Sequence, residues 1–208
     1  MPQHARHRPL LIVAAAPSGA GKTTLCERLL ADFPQITYSV SCTTRLPRGQ
    51  EQDGQDYHFL TEAEFARRVE AGEFLEHALV HGYRYGTLRR TVEDALRQGQ
   101  CVLMDLDVQG AARLRAAVDT GRPDDLLQAG YVDIFIEPPS MEVLRQRLAS
   151  RGEDAEESVE RRLANAATEM SQRQRFRHRI VNADVEVAYQ QMRTIVQSEM
   201  ARGVSPTT

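Results

Sequence analysis

Residues 10–23 read L-L-I-V-A-A-A-P-S-G-A-G-K-T. Leu10–Ala15 is a continuous apolar run, the pattern of a strand buried on both faces of a parallel sheet. A small-residue loop follows, and Thr24–Phe33 then places Leu25, Leu29 and Leu30 at helical spacing. Strand, tight loop and helix in this order frame Ala16–Thr23, which matches the phosphate-binding pattern GxxxxGK[ST] except for Ala16 in place of the first glycine. Glycines let backbone N–H groups turn inward around an anion, and the helix N-terminus adds partial positive charge. Lys22 supplies a compact ammonium for terminal phosphates, and the Thr23 hydroxyl can ligate Mg²⁺. The competing reading, a strand–helix turn that is merely glycine-rich, does not account for Gly, Lys and Thr standing in register between the two required flanks.

Beyond this stretch, apolar strands alternate with helices. Ile36–Val40, Cys101–Leu106, Val132–Ile136 and Arg179–Val181 read as strands. Helices are expected at Val108–Val118, from Ser140 to about Ser150, from the acidic cluster Glu153–Glu157 to about Met170, and at Val185–Met200. This alternation predicts an α/β core with a central parallel sheet flanked by helices. Residues 41–98 interrupt it. Arg45–Asp56 is a polar loop, Thr61 and Glu64 form a capping-box pair opening a helix, Glu73–Val80 is a strand, His81–Tyr85 a turn and Leu88–Gln98 a helix. Asp119–Gly130 reads as a loop or insertion.

The chain has 208 residues with a net charge of −3. It carries 25 Arg and a single Lys, Lys22. The balance leaves no broad basic surface for nucleic acid. No stretch approaches the roughly 20 apolar residues of a membrane span. Arg6 and Arg8 before Leu10–Ala16 resemble a signal peptide, but the apolar run is short and leads directly into the glycine loop, so a cytoplasmic location is expected. Cys26, Cys42 and Cys101 are far apart and odd in number, which fits a reducing compartment.

Asp105 and Asp107 close the strand Cys101–Leu106, at the C-terminal edge where open α/β sheets bind ligands. A carboxylate there can orient a Mg²⁺ shell or a substrate group; the alternative is a pair of helix caps before Val108. With one Lys, no Asn-Lys-x-Asp guanine signature exists, and a short chain with two insertions suits a small phosphotransferase better than a switch GTPase.

Further motifs narrow the class. Ser39–Gly49 reads S-V-S-C-T-T-R-L-P-R-G, with Gly54, Asp56, Tyr57, His58 and Phe59 after it. Then come E-F-L-E at Glu73–Glu76, Y-G-T at Tyr85–Thr87, L-M-D-L-D-V-Q-G at Leu103–Gly110 and P-P-S at Pro138–Ser140. Over about residues 9–200, the order and spacing resemble the guanylate kinase family.

The resemblance implies Mg²⁺-dependent transfer of a phosphoryl group from ATP to GMP, giving ADP and GDP, in a monomer or homodimer. It implies a P-loop NTPase-like core at 9–40, 99–138 and 171–204, a GMP-binding region at 41–98, a helical lid at 139–170, and flexible tails at 1–8 and 205–208. Arg45, Arg48, Tyr57 and Tyr85 would hold the GMP phosphate, and Ser41, Glu76, Thr87 and Asp105 would read guanine. Ala16, Pro17, Ser18, Gly19, Ala20, Gly21, Lys22, Thr23 and Thr24 would hold ATP, with Asn182 near the adenine. Thr23 and Asp105 would serve Mg²⁺, directly or through water. Lys22, Arg45 and the lid residues Arg147, Arg151 and Arg162 would act on the transferring phosphoryl. The cluster Arg173, Arg175, Arg177 and Arg179 reads as a solvated face, and Tyr38 and Tyr131 as packing. Arg84 departs from the smaller or polar residue expected beside Tyr85. A ribosyl-bisphosphate kinase would lack the guanine readers, and a catalytically dead scaffold domain would have a damaged loop; neither loss is present here.

Overall fold

A computed structural model describes residues 7–80, 82–120, 125–150 and 156–202. In chain order the elements are β1 (Leu11–Ala15), α1 (Lys22–Asp32), β2 (Ile36–Tyr38), β3 (Cys42–Thr43), β4 (His58–Phe59), α2 (Glu62–Glu70), β5 (Phe74–Val80) and β6 (Tyr83–Leu88). They continue with α3 (Arg89–Arg97), β7 (Cys101–Leu106), α4 (Val108–Asp119), α5 (Leu126–Gly130), β8 (Tyr131–Glu137), α6 (Met141–Ala149), α7 (Glu156–Ser171), β9 (His178–Val181) and α8 (Val185–Ala201).

The central sheet is parallel, in the order β2-β7-β1-β8-β9. β1 occupies its middle, and all five of its residues are buried. Alternation along the strand splits the core into two layers. Ile12 and Ala14 face α1 and α8, with Leu25, Leu29, Tyr189, Met192 and Val196. Leu11, Val13 and Ala15 face the other way, onto Val92 and Leu96 of α3, Ala111 and Leu114 of α4, and Leu127 of α5. The fold is therefore the α/β type that the continuous apolar runs predict, with helices on both faces of the parallel sheet.

The second sheet, in the order β4-β3-β6-β5, is mixed, and its own cluster joins Cys42, Phe65 and Phe74. Rings of Phe65 and Phe74 stack at 4.5 Å. The capping box forms as expected: Thr61 Oγ1 accepts from Glu64 N–H, and Glu64 Oε2 accepts from Thr61 N–H at 2.8 Å. Two further details differ from the sequence expectation. His81–Tyr85 is not all turn, because β6 begins at Tyr83 and pairs antiparallel with β5; His81 itself lies outside the described residues. Tyr83 and Tyr85 favour the extended pairing. Of Asp119–Gly130, residues 121–124 lie outside the described residues, and the remainder is not simply a loop, since Asp125 caps the short helix α5 through Leu127 N–H at 2.9 Å. The two-residue strands β3 and β4 carry too little periodicity to be read from sequence. Within the segment 41–98, the small sheet and α2 span Cys42–Leu88, whereas α3 buries Val92 and Leu96 in the main core.

Helices α6 and α7 pack on each other through Leu144, Leu148, Val159, Leu163 and Ala166. Arg84 is accommodated by an ion pair with Glu62 of α2 at 3.0 Å, which ties β6 to that helix.

Gly130 marks a tight backbone joint of the core. A Cβ there would stand 2.7 Å from the Pro9 carbonyl oxygen and 3.3 Å from Leu11 N, both backbone atoms that cannot swing aside. Gly130→Ala is expected to cost about 1–3 kcal/mol, read as a lowered urea midpoint with unchanged slope.

Candidate active site

The loop after β1 is shaped by its two left-handed glycines, Gly19 at φ 90° and Gly21 at φ 93°. Ala20 N–H donates to the Pro17 carbonyl at 3.1 Å, and Gly21 stands at the N-cap of α1. At Gly21 a second constraint operates. A Cβ would lie 2.2 Å from Asn182 Nδ2, because the Asn182 amide donates to the Ala20 carbonyl at 2.8 Å. Asn182 is only 4% exposed, and its Oδ1 is buried with no hydrogen-bond partner among the described residues. The residue thus braces the loop from beneath.

Lys22 opens α1 and reaches across the sheet edge. Its Nζ donates to the Leu106 carbonyl at 2.7 Å and pairs with the Asp105 carboxylate. Thr23 and Thr24 lie exposed in the first turn of α1. Asp105 and Asp107, two residues apart, have separate tasks. Asp105 meets Lys22, whereas Asp107 caps α4, its Oδ1 accepting from Gly110 N–H at 2.7 Å. The helix-cap reading of the pair therefore holds for Asp107 alone.

A pocket of about 240 Å³ opens from Lys22 toward the small sheet, lined by Ser41, Tyr57, Glu76, Tyr85, Asp105 and Asp107 among others. Glu76 on β5 is its most enclosed charged group, 6% exposed. Thr87 of β6 donates its hydroxyl to Glu76 Oε1 at 2.9 Å. Glu76 Oε2 lies 3.2 Å from where a Cβ on Gly110 would be, so α4 approaches closely because position 110 has no side chain. Burial pushes the Glu76 carboxyl up to about 7, with Asp107 adding to the rise and the Thr87 hydrogen bond opposing it. Tyr38, expected to be packing, also lines this pocket.

Arg45 is buried behind two residues of the pocket wall, Tyr57 and Tyr85. Its Nε donates to the Tyr85 hydroxyl at 3.3 Å, and its guanidinium stands 5.3 Å from the Tyr57 ring centre. The Tyr57 and Tyr85 rings meet edge to face at 5.9 Å. Burial raises the Tyr57 phenol, which keeps it a hydrogen-bond donor. Arg48 is exposed and lines a larger cavity of about 710 Å³ together with Ser18, Asp107, Arg161, Arg162 and Glu169.

The helical pair closes the far side of that cavity. Arg162 of α7 donates to Ser18 Oγ at 2.8 Å, and Arg147 of α6 donates to the Asn182 carbonyl at 2.9 Å. Both arginines thus touch the loop or its brace. Arg151 lies outside the described residues. Of the cluster read as a solvated face, Arg177 pairs with the buried Glu199 at 3.3 Å, and Arg173 and Arg179 stand at 3.8 and 4.0 Å from Glu137. Tyr131 packs as expected and donates to Asp133 at 3.1 Å.

Two acidic residues escaped the sequence reading. Glu51 accepts a two-pronged pair from Arg45, both bonds 2.9 Å. Glu169, near Asp107 and Lys22, is pushed up to about 7 by burial. Neither belongs to a periodic pattern, so only the three-dimensional placement reveals them. Among the described residues, no group of three or more His, Cys, Asp or Glu is arranged to hold a metal ion, and no helix is long and apolar enough to cross a membrane.

The arrangement can hold two anionic ligands end to end, one on the loop and one against the small sheet. A family model described as guanylate kinase matches residues 6–199. The guanylate kinase of Nitratidesulfovibrio vulgaris is 50% identical over 184 residues, covering 88% of this chain and 84% of its own. That of Symbiobacterium thermophilum is 46% identical over 195 residues, covering 94% and 88%. The crystal structure of guanylate kinase from Anaplasma phagocytophilum matches with a TM-score of 0.72 at 33% identity, covering 94% of this chain and 88% of that one. The phosphate-binding loop, the two-sheet architecture and these matches along almost the whole length lead to one conclusion: the chain belongs to the guanylate kinase family.

Proposed function

We propose that the protein transfers the γ-phosphoryl group of ATP to GMP, giving ADP and GDP. The observation that carries this reading is a single pocket lined by both the loop's Lys22 and the buried, Thr87-backed Glu76. Guanine presents a ring N–H and an exocyclic amine side by side, and one carboxylate can accept from both. Adenine has no such donor pair and would leave the buried Glu76 unsatisfied.

In this reading, Ser41 and Thr87 complete the base site beside Glu76, and Arg45, Arg48, Tyr57 and Tyr85 hold the acceptor phosphate. Asp105 borders both ligands, so its carboxylate can serve the base or the donor side. Residues 16–24 hold the ATP phosphates on inward N–H groups, and Asn182 contributes through the loop it braces. The small sheet with α2 forms the acceptor side. α6 and α7 form a lid whose Arg147 and Arg162, with Arg151, reach the phosphates.

The chemistry needs alignment more than a base. An oxygen of the GMP phosphate attacks the γ-phosphorus, and the bond to the β–γ bridging oxygen breaks, leaving the electron pair on ADP. The nucleophile is already an anion, so no proton has to be removed. Lys22 and the lid arginines offset the charge spread over the transferring group. Closure of lid and acceptor region excludes water, which would otherwise accept the phosphoryl.

A divalent cation fits the donor set. One exposed hydroxyl, Thr23, and one carboxylate, Asp105, suit Mg²⁺, which keeps several waters and takes its remaining ligands from substrate phosphates. When bound, it neutralises charge on the ATP oxygens. Three free, buried thiols suit a reducing cytoplasm as the working compartment.

A coupled assay supplying ATP with GMP, AMP, CMP or UMP tests the reading. Turnover is expected with GMP at least a hundredfold above AMP in kcat/KM; no turnover with GMP, or parity with AMP, would refute it. Glu76 supplies a second test. Its carboxyl titrates near 7 in the free protein, and only the ionised form accepts from both guanine donors. Accordingly, kcat/KM for GMP should rise with pH through about 7 and level off above. Glu76→Gln should lose that limb of the profile and about a hundredfold in kcat/KM for GMP, while KM for ATP stays unchanged. Lys22→Arg should lower kcat by roughly a hundredfold or more, because a forked guanidinium does not fit the slot between the loop and Leu106 that the slim ammonium occupies.

A further inference from the structure

The Arg45 guanidinium is 6% exposed, and four of its five N–H donors are used within the protein. Nε donates to the Tyr85 hydroxyl at 3.3 Å and Nη1 to the Leu46 carbonyl at 2.8 Å. Nη1 and Nη2 donate in parallel to the two oxygens of Glu51, each at 2.9 Å. The same Glu51 carboxylate accepts from Arg48 N–H at 2.8 Å. One acidic side chain therefore grips the Arg45 side chain and the Arg48 backbone together.

Held this way, Arg45 cannot turn its whole fork toward a ligand. A single Nη2 N–H remains to be directed outward. The Tyr85 hydroxyl accepts from Nε and so keeps its own proton to donate. The Arg45 charge is balanced by Glu51, whereas Arg48 is exposed on the rim of the larger cavity. Replacement of Glu51 by an incoming phosphate is the competing possibility. It would leave the carboxylate beside a dianion, held only by Arg48 N–H, and like charges at that distance repel.

We propose that Glu51 is a positioning residue for the acceptor phosphate. It fixes Arg45 as one directed donor behind the Tyr57 and Tyr85 hydroxyls, and it ties Arg48 to the same loop. This inference rests on the reading of the protein as a GMP kinase.

The test is steady-state kinetics on full-length Glu51→Gln, with guanosine as a competitive inhibitor against GMP. KM for GMP should rise roughly tenfold or more, with a much smaller fall in kcat and no change in KM for ATP. The inhibition constant of guanosine, which has no phosphate, should stay within twofold. In an Arg45→Ala background, Glu51→Gln should change KM for GMP less than twofold further, since its effect passes through Arg45. Should Glu51→Gln melt early, Glu51→Asp serves in its place: it keeps the charge but is too short to span the fork, and should give an intermediate KM. An unchanged KM for GMP would overturn the inference. So would a lowered KM, which would make Glu51 a competitor, or a guanosine constant that weakens in step with GMP. Wild-type protein inactive with GMP would overturn this inference and the functional reading together, whereas active wild type with an unaffected variant overturns this one alone.

Discussion

The structure depends on one strand being buried on both faces. β1 is hydrogen-bonded to β7 on one side and β8 on the other, and its five residues contribute alternately to two core layers. A strand so enclosed cannot shift without disturbing both layers. Its C-terminal end is therefore a stationary point, and the loop that leaves it meets the N-terminus of α1 in a fixed place. An anion site made of backbone N–H groups needs that rigidity, because the donors have no side-chain freedom with which to adjust.

From that fixed loop the functional groups are arranged by contact rather than by sequence proximity. Asn182, after the last strand of the sheet, presses under Gly21 and holds the Ala20 carbonyl. β7 lies beside β1 and delivers Asp105 to Lys22. The helix that follows β7 begins at the Asp107 cap and brings Gly110 against Glu76 of the small sheet. Loop, sheet edge and small sheet are thus linked through α4, whose Arg113 also donates to the His77 carbonyl. This linkage explains how a mostly separate small sheet can carry the buried Glu76 carboxylate at a defined distance from the loop after β1.

Four cations of the site rest on acceptors of the protein itself. Lys22 is paired with Asp105, Arg45 with Glu51, Arg147 with the Asn182 carbonyl, and Arg162 with Ser18. Such pairing keeps positive groups from repelling one another and holds them in place. Three of these partners stand on the loop, on the residue beneath it or on the neighbouring strand end, so the charge is gathered around the phosphate path.

Much of this was legible in the residues. The apolar run at Leu10–Ala15, the loop Ala16–Thr23 and the caps at Thr61 and Ser140 are local patterns, and each acts over a few residues along the chain. They determined the parallel α/β core, the position of the phosphate loop and the survival of Lys22 as the one lysine among 25 arginines. Motif order also pointed to Glu76, Thr87, Tyr57 and Tyr85, which the structure gathers around a single pocket or its wall. Only the tertiary structure decided which of two nearby aspartates meets Lys22 and which caps a helix, since both stand at the end of the same strand. It alone revealed Glu51 as the partner of Arg45 and Asn182 as the brace of the loop, because those contacts join segments with no shared periodicity. A hydrogen-bonding pattern repeated along a strand or helix is written in the chain; the pairing of one buried charge with another is settled only when packing brings them within reach.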